Sequence, residues 1–304
     1  MNLHHDEAVF AELIAGAATE LQIPANIIEK DYFVTLTLRE LSSRLKNMVF
    51  KGGTSLTKCY QLLNRFSEDI DISYTAESGV PGESHKKQLK KAVVATMESL
   101  GFTISNLHET QSRRHYNCYR TTYPSVYDNS PLLKPELIVE TYVALLPFPT
   151  IFRMTDNYLY RFLKKMNFLH IARQYDLMPF PINTQTIERT PVDKIYAICD
   201  YYLENKIERH SRHLYDIHKI YSQLKIDKNF RTLVSDVRAA RATLSICPSA
   251  KENISINALL SEIISQNIYR KDYKEITEGL LFRPLPYEET IATLKVIVET
   301  DIFY

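Results

Sequence analysis

The sequence predicts an α+β protein in which a part carrying a mixed β-sheet is followed by a mainly helical C-terminal part. Strand candidates at 69–74, 102–107, 114–121 and 136–144 all precede Pro147 and Pro149. Beyond Thr184, helical patterns cover 190–205, 210–225 and 229–244. The stretch Phe50 to Tyr74, FKGGTSLTKCYQLLNRFSEDIDISY, joins a glycine turn, a short helix and a strand bearing two carboxylates.

Taken in order, residues 6–20 read as a helix through Ala8, Phe10, Leu13 and Ala17, and Pro24 permits a new helical start ahead of 27–45. Val49 and Phe50 lead into the Gly52–Gly53 turn. Thr54 and Ser55 are expected to cap the next helix, whose packing stripe would be Leu56, Cys59, Tyr60 and Leu63. A loop at 76–84 precedes a helix at 85–100. Pro147 and Pro149 are expected to end the sheet region. The closing segment TIATLKVIVETDIF reads as a helix despite its β-branched residues. No internal repeat or low-complexity tract is evident. The domain division is placed at 1–165 and 166–304, within the interval from Pro149 to Thr184.

The 304 residues allow a substantial core, and 45% apolar with 24% charged residues describes an ordinary globular protein. A formal net charge of +1 gives no overall pull toward nucleic acid, so such a partner requires a local basic surface. The four cysteines, Cys59, Cys118, Cys199 and Cys247, include no CxxC pair and argue against a disulfide scaffold. The N-terminus lacks signal-peptide character and no 18-residue apolar run occurs, so no membrane span and a cytoplasmic location are expected. The 20 tyrosines can stack on bases or fill an amphipathic interior.

Asp69 and Asp71, two apart on a strand, share one face, while Ile70 and Ile72 take the other. Two anionic groups so close require a proton or a cation between them. Gly52 and Gly53 permit close approach by a ligand, and the helix start beyond them offers N–H groups to phosphate, with the Ser55 hydroxyl nearby. Lys58, three residues beyond Ser55, either helps hold a triphosphate or projects into solvent. The spacing is not that of a Walker A loop. A third acid is sought in Glu140, within LIVETYV, where a carboxylate in an apolar strand needs a partner; the bland alternative is a solvated sheet edge. Asp69, Asp71 and Glu140 together suit magnesium, which favours carboxylates, water and phosphate oxygens.

Arg65 is expected to clamp a phosphate or orient a carboxylate, and Glu68 to face solvent or pair with Arg65. In TPVDKIYAICDYYLENK, Thr190 offers a cap, Pro191 suits the first helical position and Lys194 either reaches a nucleotide or lies on the surface. Asp216 can orient Lys194 or act as a base. His213 and His218 form no HExxH zinc motif. The segment IFRMTDNYLYRFLKKMNFLHIARQY, with five Arg/Lys against one Asp, and RRHYNCYR at 113–120 are basic and aromatic. Both suit an RNA backbone with an unpaired end, an acidic protein partner, or simply solvent.

KGGTSLTK at 51–58, RFSEDIDIS at 65–73, DK at 193–194 and RHLYDIHKI at 212–220 together resemble the AbiEii/MenT-like toxins of the DNA-polymerase-β-like nucleotidyltransferases, over roughly 45–225. The resemblance implies a polymerase-β-like core with N-terminal helices, and a helical C-terminal domain completing the active cleft. It implies nucleotide handling by Gly52, Gly53, Thr54, Ser55 and Lys58, catalytic acids at Asp69 and Asp71, and further roles for Lys194 and Asp216. Its fourth block commonly reads R-D-L-Y-D, whereas this chain has His213 at the first acid. The implied activity is magnesium-dependent transfer of a nucleoside monophosphate from an NTP onto RNA, tRNA in some members, as a toxin with a cognate antitoxin. Transfer onto a protein hydroxyl and NTP binding without turnover are the competing functions.

Overall fold

The computed structural model describes residues 2–67, 69–75, 79, 81–127 and 135–303. Glu68 and most of the expected 76–84 loop lie outside the described residues. The chain forms two compact units, Met1–Gln61 with Ser67–Thr184, and Leu62–Phe66 with Gln185–Tyr304. The changeover at Thr184/Gln185 lies beyond the 165/166 division expected from sequence, because the Tyr175 hydroxyl donates to Asp6 and Thr184 pairs with Phe50, which ties 166–184 to the first unit.

The first unit opens with α1 (Glu7–Leu21) and α2 (Ala25–Arg44). Asp6 caps α1 by accepting a hydrogen bond from the Val9 N–H, and Gln22, with φ of 55°, ends it in the left-handed region. Phe10 packs against Tyr32 and Phe33 of α2, with ring centroids 5.0 and 5.8 Å apart. The chain continues through β1 (Met48–Lys51), α3 (Gly52–Lys58), β2 (Ile70–Tyr74), α4 (Glu83–Ser99), β3 (Thr103–Ile104), β4 (Tyr116–Thr122) and β5 (Glu136–Tyr142). Then follow β6 (Thr150–Thr155), α5 (Tyr158–Lys165), α6 (Leu169–Gln174) and β7 (Phe180–Gln185).

The seven strands make one mixed sheet in the order β3-β4-β5-β2-β1-β7-β6. β2 runs antiparallel to β1 and parallel to β5, and β4 runs antiparallel to β5. One face carries Phe50, Ile70, Ile72, Tyr119, Leu137 and Val139, all fully buried with Phe33 and Leu38 of α2. Each such aliphatic or aromatic side chain contributes about 1.5–3 kcal/mol of transfer free energy. The opposite face holds the polar side chains Lys51, Asp71, Glu140 and Cys118.

The sheet does not end at Pro147 and Pro149. β6 and β7 follow, and Phe50 pairs with Thr184 in parallel register, reinforced by the Thr184 hydroxyl donating to the Phe50 carbonyl at 2.8 Å. TIFRMT lacks an apolar alternation, and Pro181 interrupts the alternation of Phe180, Ile182 and Thr184 in FPINTQ, which hid these strands. The expected helical stripe Leu56–Cys59–Tyr60–Leu63 is likewise cut short. α3 stops at Lys58, and Gln61 adopts φ of 54°.

The second unit contains α7 (Arg189–Leu203), α8 (Arg212–Tyr221), α9 (Lys228–Ala242), α10 (Ile256–Ser265), α11 (Arg270–Asp272) and α12 (Tyr287–Glu299). Ile195, Ile198, Leu214, Ile217, Leu260, Ile263 and Leu294 are buried in it. Residues 62–66 belong to this unit as an extended insert. The Phe66 N–H donates to the Leu280 carbonyl and the Phe282 N–H to the Asn64 carbonyl, both at 2.9 Å. α7 starts at Arg189 without a side-chain cap, so Thr190 lies inside the helix, its hydroxyl 3.4 Å from the Thr186 carbonyl.

A buried ion pair fixes α3 within the first unit. The Lys58 ammonium is 2% exposed, 2.6 Å from Asp31 Oδ1 and 2.6 Å from the Thr35 hydroxyl, both on α2. The other Asp31 oxygen accepts from the Tyr158 N–H at the start of α5, at 2.8 Å. Removing one member of such a pair leaves an uncompensated buried charge. Lys58→Met is expected to destabilise the protein by about 3 kcal/mol, read as a fall in the denaturant midpoint, and unchanged stability would show the pair to be ornamental.

Candidate active site

Strand register builds the polar face of the first unit. Lys51 of β1 pairs with Asp71 of β2, Asp71 with Glu140 of β5, and Glu140 with Cys118 of β4. These four side chains form one rung across four adjacent strands. Registered neighbours project from the same face. Asp69, two residues before Asp71, adds its charge to the same locality.

Asp71 is held up to about 7. Burial is the leading cause, followed by the negative charges of Glu140 and Asp69; Lys51 opposes them, and a hydrogen bond shared with Glu140 adds to the rise. Lys51 also lies 5.0 Å from the Tyr142 ring centroid, in cation–π contact. Tyr116 donates from its hydroxyl to Glu140 Oε1 at 2.7 Å. Burial and the Glu140 charge push the Cys118 thiol upward, so it stays protonated.

Gly52 has φ of 77°, and a Cβ built there would stand 1.9 Å from Asp71 Oδ2. The glycine turn therefore touches the acidic strand directly, and no side chain fits between them. Thr54 and Ser55 do not cap α3, because the helix begins at Gly52 and places both inside it. The Ser55 hydroxyl donates to the Gly52 carbonyl at 2.8 Å, and the Thr54 hydroxyl lies 2.9 Å from that of Ser67. Lys58, expected to hold a triphosphate or face solvent, instead spends its charge on Asp31 and Thr35.

The second unit assembles the remaining expected residues around Asp216, which is fully buried. Arg65 grips it in a fork, Nε to Oδ1 at 2.6 Å and a terminal nitrogen to Oδ2 at 2.7 Å. Lys194 Nζ lies 2.7 Å from Oδ2. Burial alone would raise the Asp216 carboxyl, but Arg65 and Lys194 outweigh it and hold the group below the ordinary carboxylate range. Asp216 is thus a permanent anion that orients Lys194, not a base. Arg65 thus orients a carboxylate, one of its two expected roles, and also donates to the Phe66 carbonyl at 2.7 Å.

His213 supplies the second contact to Lys194, with Nδ1 3.2 Å from Nζ. Burial, reinforced by the Lys194 charge, drives the imidazole far below its usual range. The ring is neutral and Nδ1 serves as acceptor. Burial likewise lowers Lys194, against the pull of Asp216.

Among the described residues, no three His, Cys, Asp or Glu side chains already stand in a common metal-ligating arrangement. The donor set nevertheless fits a hard cation. It is made of carboxylates, it is crowded enough to retain a proton near neutrality, and it lies against a backbone stripped of its Cβ. Lys51, Cys118 and Tyr116 were not singled out from sequence. The signal for Tyr116 and Cys118 lay in the alternation of YNCYRTT facing LIVETYV.

In class, the protein is a nucleotidyltransferase. It belongs to the AbiEii family: the model described as nucleotidyl transferase AbiEii toxin, type IV TA system, matches residues 37–293. A cognate antitoxin follows from membership of such a toxin–antitoxin family. No curated protein matches the chain. Among solved structures, it is similar to MenT4, a nucleotidyltransferase toxin from Mycobacterium tuberculosis H37Rv, with 17% identity, a TM-score of 0.51, and coverage of 95% of this chain and 89% of that one. At that identity the likeness establishes the α/β fold. No helix among the described residues is long and apolar enough to cross a membrane.

Gly52→Ala forces a left-handed backbone on an L-residue and drives its methyl into Asp71. It is expected to destabilise the protein by about 1–3 kcal/mol and to abolish nucleotidyl transfer; full activity would show that the close approach is dispensable. Asp71 has a folded-state pKa raised from 3.8 to about 7. Its stabilising contribution is therefore complete below the unfolded value and is lost as pH rises through 7. Metal-free Asp71→Asn should be more stable than wild type at pH 8 by on the order of 1 kcal/mol, after discounting for partial solvent access, with the difference shrinking at pH 5. Thermal unfolding at the two pH values tests this, and a variant less stable at pH 8 would refute it.

Proposed function

We propose that the chain transfers a nucleoside monophosphate from an NTP to an RNA acceptor, tRNA in particular, and thereby inhibits translation as a cytoplasmic toxin. The observation that carries the reading is the registered pair Asp71–Glu140, crowded by Asp69 and pressed against the Gly52 turn. A nucleotide-binding surface without turnover has no need of such mutually repelling acids.

Asp69, Asp71 and Glu140 would hold magnesium, which supplies charge neutralisation for the triphosphate and activation of the attacking hydroxyl. The backbone N–H groups of the Gly52–Gly53 turn are proposed to receive the β- and γ-phosphates, while the missing Cβ of Gly52 lets the turn lie against Asp71. The acceptor hydroxyl oxygen bonds to the α-phosphorus, the α–β phosphoanhydride bond breaks, and pyrophosphate leaves. The carboxylates of this face are the bases available to take the hydroxyl's proton. Thr54 and Ser55 support the turn through their hydrogen bonds to Ser67 and Gly52. Within the second unit, Asp216 orients the Lys194 ammonium and Arg65 fixes Asp216.

Purified protein with magnesium, each α-³²P-labelled NTP, total RNA and a protein extract tests the reading against a D69A/D71A control. Label on tRNA that disappears in the variant is the expected result, and the effective donor identifies the base preference. Label on a protein would instead make the chain a protein NMPylation enzyme. NTP binding with no labelled acceptor and no pyrophosphate release would make it a binding protein.

A further inference from the structure

We propose that the exposed basic face formed by α4 and the turn before β4 is the track along which a single-stranded RNA 3′ end reaches Glu140, with Tyr116 as its terminal stacking platform. The inference rests on the RNA-transfer reading and assigns the acceptor's path within it.

Two stretches distant in sequence make this face. α4 carries Lys86, Lys87, Lys90 and Lys91, beside the buried stripe of Leu89, Val93 and Met97. Exposed Arg113, Arg114 and His115 precede β4. The stretches are joined: Lys86 Nζ lies 3.3 Å from His115 Nε2, and Lys90 Nζ donates to the Thr110 carbonyl at 2.7 Å. Two acids border the face: Glu83, with Oε2 3.6 Å from Arg113 Nε, and exposed Glu109, whose carbonyl accepts from Arg114 at 3.4 Å. Arg114 is steadied by Gln111 at 3.1 Å. Lys87 and Lys91 are exposed.

The next residue along the chain is Tyr116. Its side chain is 47% exposed, yet its hydroxyl is bound to Glu140 Oε1 at 2.7 Å. A large aromatic surface is therefore tethered by its tip to an acid of the proposed reaction centre, at the end of a run of cations. Phosphates spaced along a strand match the lysines and arginines, an unpaired base matches the ring, and stacking there brings a terminal ribose hydroxyl toward Glu140. An acidic protein segment matches the cations but leaves the exposed ring beside the acid without a role.

Full-length protein should be titrated with a 5′-fluorescein-labelled single-stranded oligoribonucleotide bearing a free 3′-hydroxyl, by anisotropy over a salt series. The variants are K87E/K91E/R113E/R114E, its milder glutamine counterpart at the same four positions, Y116F and Y116A. Both four-site variants are expected to weaken RNA binding tenfold or more at low salt. Each lost phosphate contact should reduce the salt slope by about 0.7. Binding of a fluorescent NTP analogue should stay unchanged in both, and the glutamine variant answers the question should the glutamates disturb folding. Y116F keeps the ring and should bind RNA as wild type does, whereas Y116A should weaken it fivefold or more. Wild-type affinity and slope in the glutamine variant would overturn the proposal. RNA labelling by wild type that persists undiminished in that variant would overturn the track while leaving RNA transfer standing, whereas label found on protein alone would remove both.

Discussion

Register is the constraint on which the reaction centre depends. Asp71 stands between Lys51 and Glu140 because β1, β2 and β5 pair in one alignment. Side chains alternate along a strand, so a slip of one residue in β2 would exchange the acids with Ile70 and Ile72. The buried face prevents this, since Phe50, Ile72 and Val139 cannot be turned outward without losing their core contacts. The apolar half of each strand thereby sets the geometry of the polar half. The repulsion among Asp69, Asp71 and Glu140 is eased by the proton that Asp71 retains and by the Lys51 charge beside it.

A different economy governs the helical unit. There Asp216 is buried and fully ionised, matched by the Arg65 fork and the Lys194 ammonium. Such a cluster adds little net stability over an apolar alternative, yet it fixes orientation. A second anion at position 213 would place further negative charge on Lys194. The neutral imidazole found there accepts a hydrogen bond without adding charge. The chain's departure from the R-D-L-Y-D pattern is therefore compatible with an oriented lysine.

Long periodic elements were legible in the sequence. The helices at 6–20, 27–45, 85–100, 190–205, 210–225 and 229–244, and the closing helix, all occur with modest changes at their ends. The strand alternation that marked Glu140 against Asp71 was equally clear. Short or irregular pieces escaped: β6, whose apolar residues do not alternate, and β7, whose alternation of Phe180, Ile182 and Thr184 is interrupted by Pro181. The partner of Lys58 and the choice between the two roles of Arg65 were illegible for one reason. A cation near a glycine turn or a carboxylate pair looks like a phosphate ligand, and nothing local reveals that Asp31 lies 27 residues away in sequence or Asp216 151 residues away. Long-range pairing of charges has no periodic signature.

The excursion of Leu62–Phe66 into the helical unit has a consequence for dissecting the molecule. A fragment cut to begin at Gln185 would omit the extended piece that pairs with 280–282, and with it the guanidinium that neutralises Asp216. Lys194 alone would face that buried carboxylate, and the Leu280 carbonyl would lose its N–H donor. The gene therefore has no single cleavage point that yields two self-sufficient halves. A circular permutant or a tethered copy of 62–66 would be needed to prepare the helical unit by itself.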